Sequence, residues 1–122
     1  MSITHLQVVS VPDVDQDRAK RFYVDTLGFE LRADNPMGPD QRWVQVGLAG
    51  AQTSLTLVTW FKTMPAGSLK ELVLECNDIQ ATYEELSERG VPFQGAIQRE
   101  SWGAYATFDD PDGNGCVLME SR

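Results

Sequence analysis

The sequence predicts an α+β fold built from two βαβββ modules, and three observations carry this. Two amphipathic helical stretches open at an aspartate and close at a glycine, from Asp15 to Gly28 and from Asp78 to Gly90. Each is preceded by one β-rich run and followed by three more. The following runs are joined by short connections, so neighbouring strands are antiparallel and a doubly wound parallel sheet is excluded. With 122 residues and 42% apolar content, the chain suits one globular domain with one core.

The elements follow in order. Residues 4–11, THLQVVSV, are rich in β-branched types and stop at Pro12, which makes them the first strand. Asp13 or Asp15 can cap the next helix. Ala19, Phe22, Tyr23, Thr26 and Leu27 recur at the spacing of one helix face, and Gly28 stops it. A strand opens over 29–32. Residues 34–40, DNPMGPD, carry two prolines and a glycine and read as a loop. Runs at 42–46 and 54–60 form a hairpin around the small residues of 47–53. Residues 62–68 connect to the second module. There 69–76 is a strand, Asp78 caps a helix with Ile79, Thr82, Tyr83 and Leu86 on its inner face, and Gly90 ends it. Strands at 91–93, 104–108 and 115–120 complete the module. Module one spans about residues 1–61 and module two about 69–122 of a single domain.

Composition excludes several functions. Ten basic against eighteen acidic side chains give a net charge of −8. That balance disfavours nucleic acid and anionic membranes and tolerates a cationic ligand. No apolar run is long enough to span a bilayer. The first residues have no basic stretch of the signal-peptide kind, so a cytoplasmic protein is expected. Cys76 and Cys116 read as reduced packing residues, and without a CxxC pair a thiolate zinc site has no support. Ser10, Ser54 and Ser101 lack a GxSxG context, and no phosphate-binding loop is present. The DPDGN segment, residues 110–114, looks catalytic by its letters but reads as a turn, since Pro sets φ and Gly and Asn accept positive φ.

Three segments together carry a family likeness: HLQVVSVPDVDQDRAKRFYVDTLGF, NDIQATYEELSERGVPF and FDDPDGNGCVLME. The chain resembles, over essentially its whole length, the vicinal-oxygen-chelate superfamily of glyoxalases, bleomycin-resistance proteins and extradiol dioxygenases. The resemblance implies that each module curls into a half-barrel and that two half-barrels enclose a cavity. It also implies four strand positions which bear metal ligands in metal-using members. Here they fall on His5, Thr56, Glu71 and Val117. Only His5 and Glu71 can bind a metal, whereas zinc, nickel or iron sites want three protein ligands or more. Glu120 lies three residues beyond Val117, and strand alternation turns it to the other face. No metal cofactor is therefore expected. The alternative is a divalent ion held by His5 and Glu71 with help from substrate or water.

His5, the single histidine, reads equally as a surviving ligand or general base and as a hydrogen-bonded wall residue. Alternation sets Glu71, Val73 and Glu75 on one face of their strand, away from Leu72, Leu74 and Cys76. A carboxylate at Glu71 could bind a cationic group or act as a base, while Glu75 reads as solvated. Trp43, Trp60, Trp102 and Tyr105 fall on or beside strands and could line a pocket for a flat or apolar ligand, although core packing explains any one of them. The functional expectation is a binding protein that sequesters an apolar or aromatic compound, with or without positive charge, using His5, Trp43, Thr56, Trp60, Glu71, Trp102, Tyr105 and Val117. The alternative is a glyoxalase-like lyase or isomerase working through His5 and Glu71. The resemblance further implies a homodimer, in which His5 and Thr56 of one subunit would meet Glu71 and Val117 of the other.

Overall fold

The computed structural model describes residues 2–122. Strands β1 (Val8–Pro12), β2 (Glu30–Gly38), β3 (Gln41–Gly47) and β4 (Ser54–Val58) form one sheet in the order β1-β4-β3-β2. Strands β5 (Leu72–Glu75), β6 (Gln98–Glu100), β7 (Gly103–Asp109) and β8 (Gly115–Ser121) form a second in the order β5-β8-β7-β6. In each sheet the first strand runs parallel to the last and the remaining pairs are antiparallel. The two modules are thus two copies of one mixed-sheet topology, open at both edges in the manner of half-barrels.

Helix α1 (Gln16–Lys20) begins where the Asp15 side chain accepts hydrogen bonds from the amides of Asp17 and Arg18. It widens into a π-helical stretch at Arg21–Thr26, marked by the bond from Leu27 N to Phe22 O at 3.0 Å. Helix α2 (Ile79–Glu88) begins at Asp78, which accepts from Ala81 N. Gly28 and Gly90, at φ 86° and 91°, end the two helices in the left-handed region that glycine enters most cheaply.

Each helix covers one face of its own sheet. Ala19 and Tyr23 pack with Val11, Val44, Val46, Leu55 and Leu57 in the first module. Ile79 and Leu86 pack with Ala104, Phe108, Cys116 and Leu118 in the second. Phe22, Leu27, Leu72 and Leu74 touch both clusters, so the modules share one continuous apolar contact. Each fully buried side chain of this size contributes about 1.5–3 kcal/mol. Both cysteines are free, and burial pushes the Cys116 thiol up to about 12, where it is inert.

Three sequence expectations need correction. The first strand starts at Val8, where its register with β4 begins opposite Ser54, so residues 4–7 precede it. Residues 34–38, expected in a loop, belong to β2. β2 is the edge strand, where Pro36 costs no ladder bond and two register shifts absorb the irregularity. Asp34 is also pinned there by Arg42 Nε at 2.6 Å and Lys20 Nζ at 2.8 Å, bonds that hold its carboxyl well below the usual range. In the second module, Val91–Phe93 gives only an isolated bridge from Phe93 to Phe108, and the strand lies later, at β6. Among the described residues no helix is long and apolar enough to cross a membrane.

Candidate functional site

Alternation leaves one face of each sheet free of helix. In the first module it carries Ser10, Trp43, Gln45, Thr56 and Val58, because Ser10 pairs with Thr56 and Thr56 with Gln45. This face is internally satisfied. Ser10 Oγ and Thr56 Oγ1 lie 3.3 Å apart, and Trp43 Nε1 donates to Gln45 Oε1 at 3.0 Å. Trp60 lies just past β4, tilted against Phe61 with ring centroids 5.9 Å apart.

In the second module the helix-free face opens into a cavity of about 500 Å³ lined by Glu71, Val73, Trp102, Tyr105, Thr107, Val117 and Met119. The register explains the grouping, since Val73 pairs with Val117 and Thr107 pairs with Val117 from the other side. Met119 sits between Glu75 and Tyr105 in the same way. Trp102 stacks on Tyr105 with centroids 5.9 Å apart and planes 12° apart. A neighbouring cavity of about 390 Å³ shares Glu71, Thr107 and Val117 and adds Lys70, Gln94 and Asp109, so one end of the face is polar. Glu71 stands immediately before β5 at φ 57°, the single non-glycine residue with positive φ among those described. Such a conformation is costly for a side-chain-bearing residue and persists where its surroundings impose it.

The structure therefore brings Glu71, Trp102, Tyr105 and Val117 together, and sets Trp43, Thr56 and Trp60 in the other module. His5 is the exception. It is exposed, three residues ahead of β1, with Nδ1 3.0 Å from Thr4 Oγ1. Ser10 is the residue opposite Thr56. The reading of His5 as a first-strand residue rested on the β-rich run before Pro12 and on the family likeness, and neither fixes where pairing begins. Thr107 and Met119 were not singled out in the sequence, though each lies two residues from a chosen position and alternation alone would have found it. Glu75 accepts bonds from the amide and hydroxyl of Ser121, at 2.7 and 2.9 Å, and is committed to the strand end. Glu120 accepts from Ile79 N at 2.8 Å on the helix side of its sheet.

A divalent metal does not fit the four family positions. The Val117 side chain has no donor atom, Thr56 is buried beside Ser10, and His5 lies well ahead of β1, which leaves Glu71 as the one of the four with an ionisable donor at the cavity.

The DPDGN turn is a turn, as its letters imply, and it also joins the modules. Asp110 is buried and accepts from Tyr23 OH, Asn114 Nδ2, Asp112 N and Asn114 N, each at 2.9 Å. Asn114 Nδ2 also donates to Pro12 O at 2.9 Å, and its Oδ1 accepts from Leu69 N at 3.1 Å. Asp112 Oδ1 accepts from Val14 N at 3.2 Å and from Arg18 Nη2 at 2.7 Å. Beside it Asp13 is 4% exposed. Burial, then the neighbouring Asp112 carboxyl, pushes Asp13 up to about 9. Sequence reasoning offered Asp13 only as a helix cap, a role that Asp15 takes.

Comparison with known proteins agrees with this geometry. The family model described as "Glyoxalase/Bleomycin resistance protein/Dioxygenase superfamily" matches residues 2–118. The crystal structure of TnmS3, an antibiotic binding protein from Streptomyces sp. CB03234, is 50% identical. It superimposes with a TM-score of 0.92 and covers 100% of this chain and 99% of that one. A member of the same superfamily from Sphaerobacter thermophilus DSM 20745 is 36% identical with a TM-score of 0.87, covering 98% of both chains. The uncharacterized protein YetH of Bacillus subtilis (strain 168) is 40% identical over 97% of this chain and 99% of its own length. Paired βαβββ sheets, the LGF-terminated helix and the DPDGN turn with its buried Asp110 and Asn114 are thus explained together: the chain belongs to the glyoxalase/bleomycin resistance protein/dioxygenase superfamily.

Proposed function

We propose that this protein binds and sequesters an apolar or aromatic small molecule, with or without a positive charge, without turning it over and without a metal at the family positions. The observation that carries this is the open cavity on the second sheet, with Trp102 stacked on Tyr105 above Val73, Val117 and Met119. An apolar floor with a stacked aromatic wall suits a planar ligand, and Glu71 at the edge supplies one orienting charge. The likeness to an antibiotic-binding protein supports an antibiotic-like ligand.

The reading includes a homodimer. Val73 and Trp102 are 51% and 46% exposed beside Val117 and Met119, an apolar patch that is stabilised by being covered. Three of the eight candidate ligand residues, Trp43, Thr56 and Trp60, lie in or beside the strands of the other module, so a partner's first module set over this cavity would bring them to Glu71, Trp102, Tyr105 and Val117.

Titration of intrinsic tryptophan fluorescence with a panel of aromatic and cationic compounds tests the reading. Saturable quenching at micromolar concentration is expected, with Trp102→Ala weakening it about 10–100-fold, the range of an anchor residue. Trp60→Ala should weaken it to a lesser degree. Steady consumption of a keto or thioester substrate, with no response to the panel, would refute sequestration and make Glu71 a candidate base.

A further inference from the structure

We propose that the buried junction between the two modules is a binding site for a hard divalent cation, Mg2+ or Ca2+, held by the carboxylates of Asp13 and Asp112. An acidic cluster alone says little. What marks this one is the state of its inward oxygens. Asp13 is 4% exposed, and neither of its carboxyl oxygens has a hydrogen-bond partner. Asp112 has a side chain 1% exposed, and its Oδ2 has none either. Buried carboxylate oxygens without donors are costly, and native interiors supply a proton, a donor or a cation to them. Among the described residues, Asp13, Asp110 and Asp112 each place one carboxylate oxygen within 4.8 Å of the others.

The charges point to a divalent ion. Three carboxylates converge, and among the described residues Arg18, bound to Asp112 Oδ1 at 2.7 Å, is the one basic side chain bonded to them. When all three are ionised, that leaves two negative charges to be balanced. Asp110 contributes charge only, because both its oxygens are already taken by Tyr23, Asn114 and Asp112 N. The donors are oxygen alone, which favours Mg2+ or Ca2+ over the softer transition metals. The backbone holds the donors from both sides: Asp13 N donates to Val58 O at 2.7 Å, and Val14 N donates to Asp112 Oδ1 at 3.2 Å. A bound ion would therefore clamp the end of β1 to the DPDGN turn. None of His5, Thr56, Glu71 or Val117 belongs to the cluster, so this site is separate from the cavity and from the metal positions of the family.

The test uses the full chain, stripped with EDTA and titrated near neutral pH with MgCl2 or CaCl2 by calorimetry and by melting. One ion per chain is expected, with a rise in melting temperature of roughly 5 °C or more at about 100-fold excess over Kd. Both effects should vanish in Asp13→Asn and in Asp13→Val and persist in Glu71→Gln. Asp13→Asn removes the charge in a nearly isosteric side chain, Asp13→Val removes the oxygens as well, and the wild-type titration stands without them. The proposal is overturned if the wild type takes up neither ion at millimolar concentration. It is equally overturned if binding survives both Asp13 substitutions or is lost in Glu71→Gln. Absence of ion binding together with a higher melting temperature in Asp13→Asn would assign the pair to a shared proton. No organic ligand enters the experiment, so its failure leaves the sequestration reading untouched, and the reverse holds.

Discussion

The two helix-free faces of this molecule share a topology and differ in state. On the first sheet Thr56, Val58 and Ser54 are 1–2% exposed, and the polar groups serve one another. On the second, Val73 and Trp102 are about half exposed and none of the described residues covers the apolar floor. A duplicated fold can thus carry one finished face and one unfinished face. The unfinished one is where a ligand or a second subunit gains most by binding, since apolar area still exposed is area still available to bury. The sharpest way to break this comparison is to place the same charge on both. Val58→Asp should cost about 3–5 kcal/mol of stability and abolish soluble expression, because it buries an unpaired carboxylate. Val73→Asp should cost under about 1 kcal/mol in the isolated chain, while impairing dimer formation and ligand binding. Chemical denaturation at low protein concentration and light scattering separate the two, and equal destabilisation by both substitutions would end the comparison.

Next in size is the aromatic wall. Trp102→Ala should cost about 1–3 kcal/mol of ligand affinity, and Trp43→Ala distinctly less unless the first sheet of a partner closes the cavity. Light scattering in the micromolar range should give twice the chain mass. A monomer that nevertheless binds aromatic ligands tightly would show that the second face suffices alone.

Much of this was legible in the letters. Asp15 with Gly28 and Asp78 with Gly90 are local signals, a capping side chain and a left-handed glycine, and local signals survive in a single sequence. Glu71 and Val117 followed from the family resemblance, with the DPDGN turn fixing the position of Val117, and Tyr105 from its place among the strand-borne aromatics. What failed was non-local. His5 carries the right letter, yet whether it joins β1 depends on where β4 begins to pair, a contact 46 residues away. The proline-bearing residues 34–38 could be a strand only because they lie at an edge, and edge position is a property of the sheet. Asp13 read as a cap because nothing nearby announces that residues about 100 positions on will bury it.

That burial gives the third prediction, a pH dependence with a definite sign. Asp13 is raised from 3.8 to about 9, so between those values the folded chain binds a proton that the unfolded chain does not. Stability from this group is complete below about pH 4 and declines as pH rises toward 9, with a slope of at most about 1.4 kcal/mol per pH unit. In EDTA the melting temperature should therefore fall across that interval, and Asp13→Asn should flatten the profile. A wild-type profile no steeper than that of Asp13→Asn would show that the carboxyl is solvated, and the module junction looser than the geometry implies.

The smallest effect is expected at Glu71, and it separates two roles that one residue combines. Its φ of 57° places a side-chain-bearing residue where glycine is at ease, at the entry to β5 and at the edge of the open cavity. Glu71→Gly relieves the backbone by about 1–2 kcal/mol but adds about 0.5–1 kcal/mol of chain entropy to the unfolded state, so a gain of about 1 kcal/mol or less is expected. Glu71→Gln keeps the strain and removes the charge, so its melting temperature should match the wild type. Both variants should lose affinity for cationic ligands by a similar factor and leave neutral aromatic ligands nearly unaffected. Calorimetry with a matched pair, one cationic ligand and its neutral isostere, reads this directly. If Glu71→Gln holds the cationic member as tightly as the wild type does, the carboxylate orients nothing. The left-handed residue would then serve only to turn the chain into β5, and the specificity of the open face would rest on its aromatic wall.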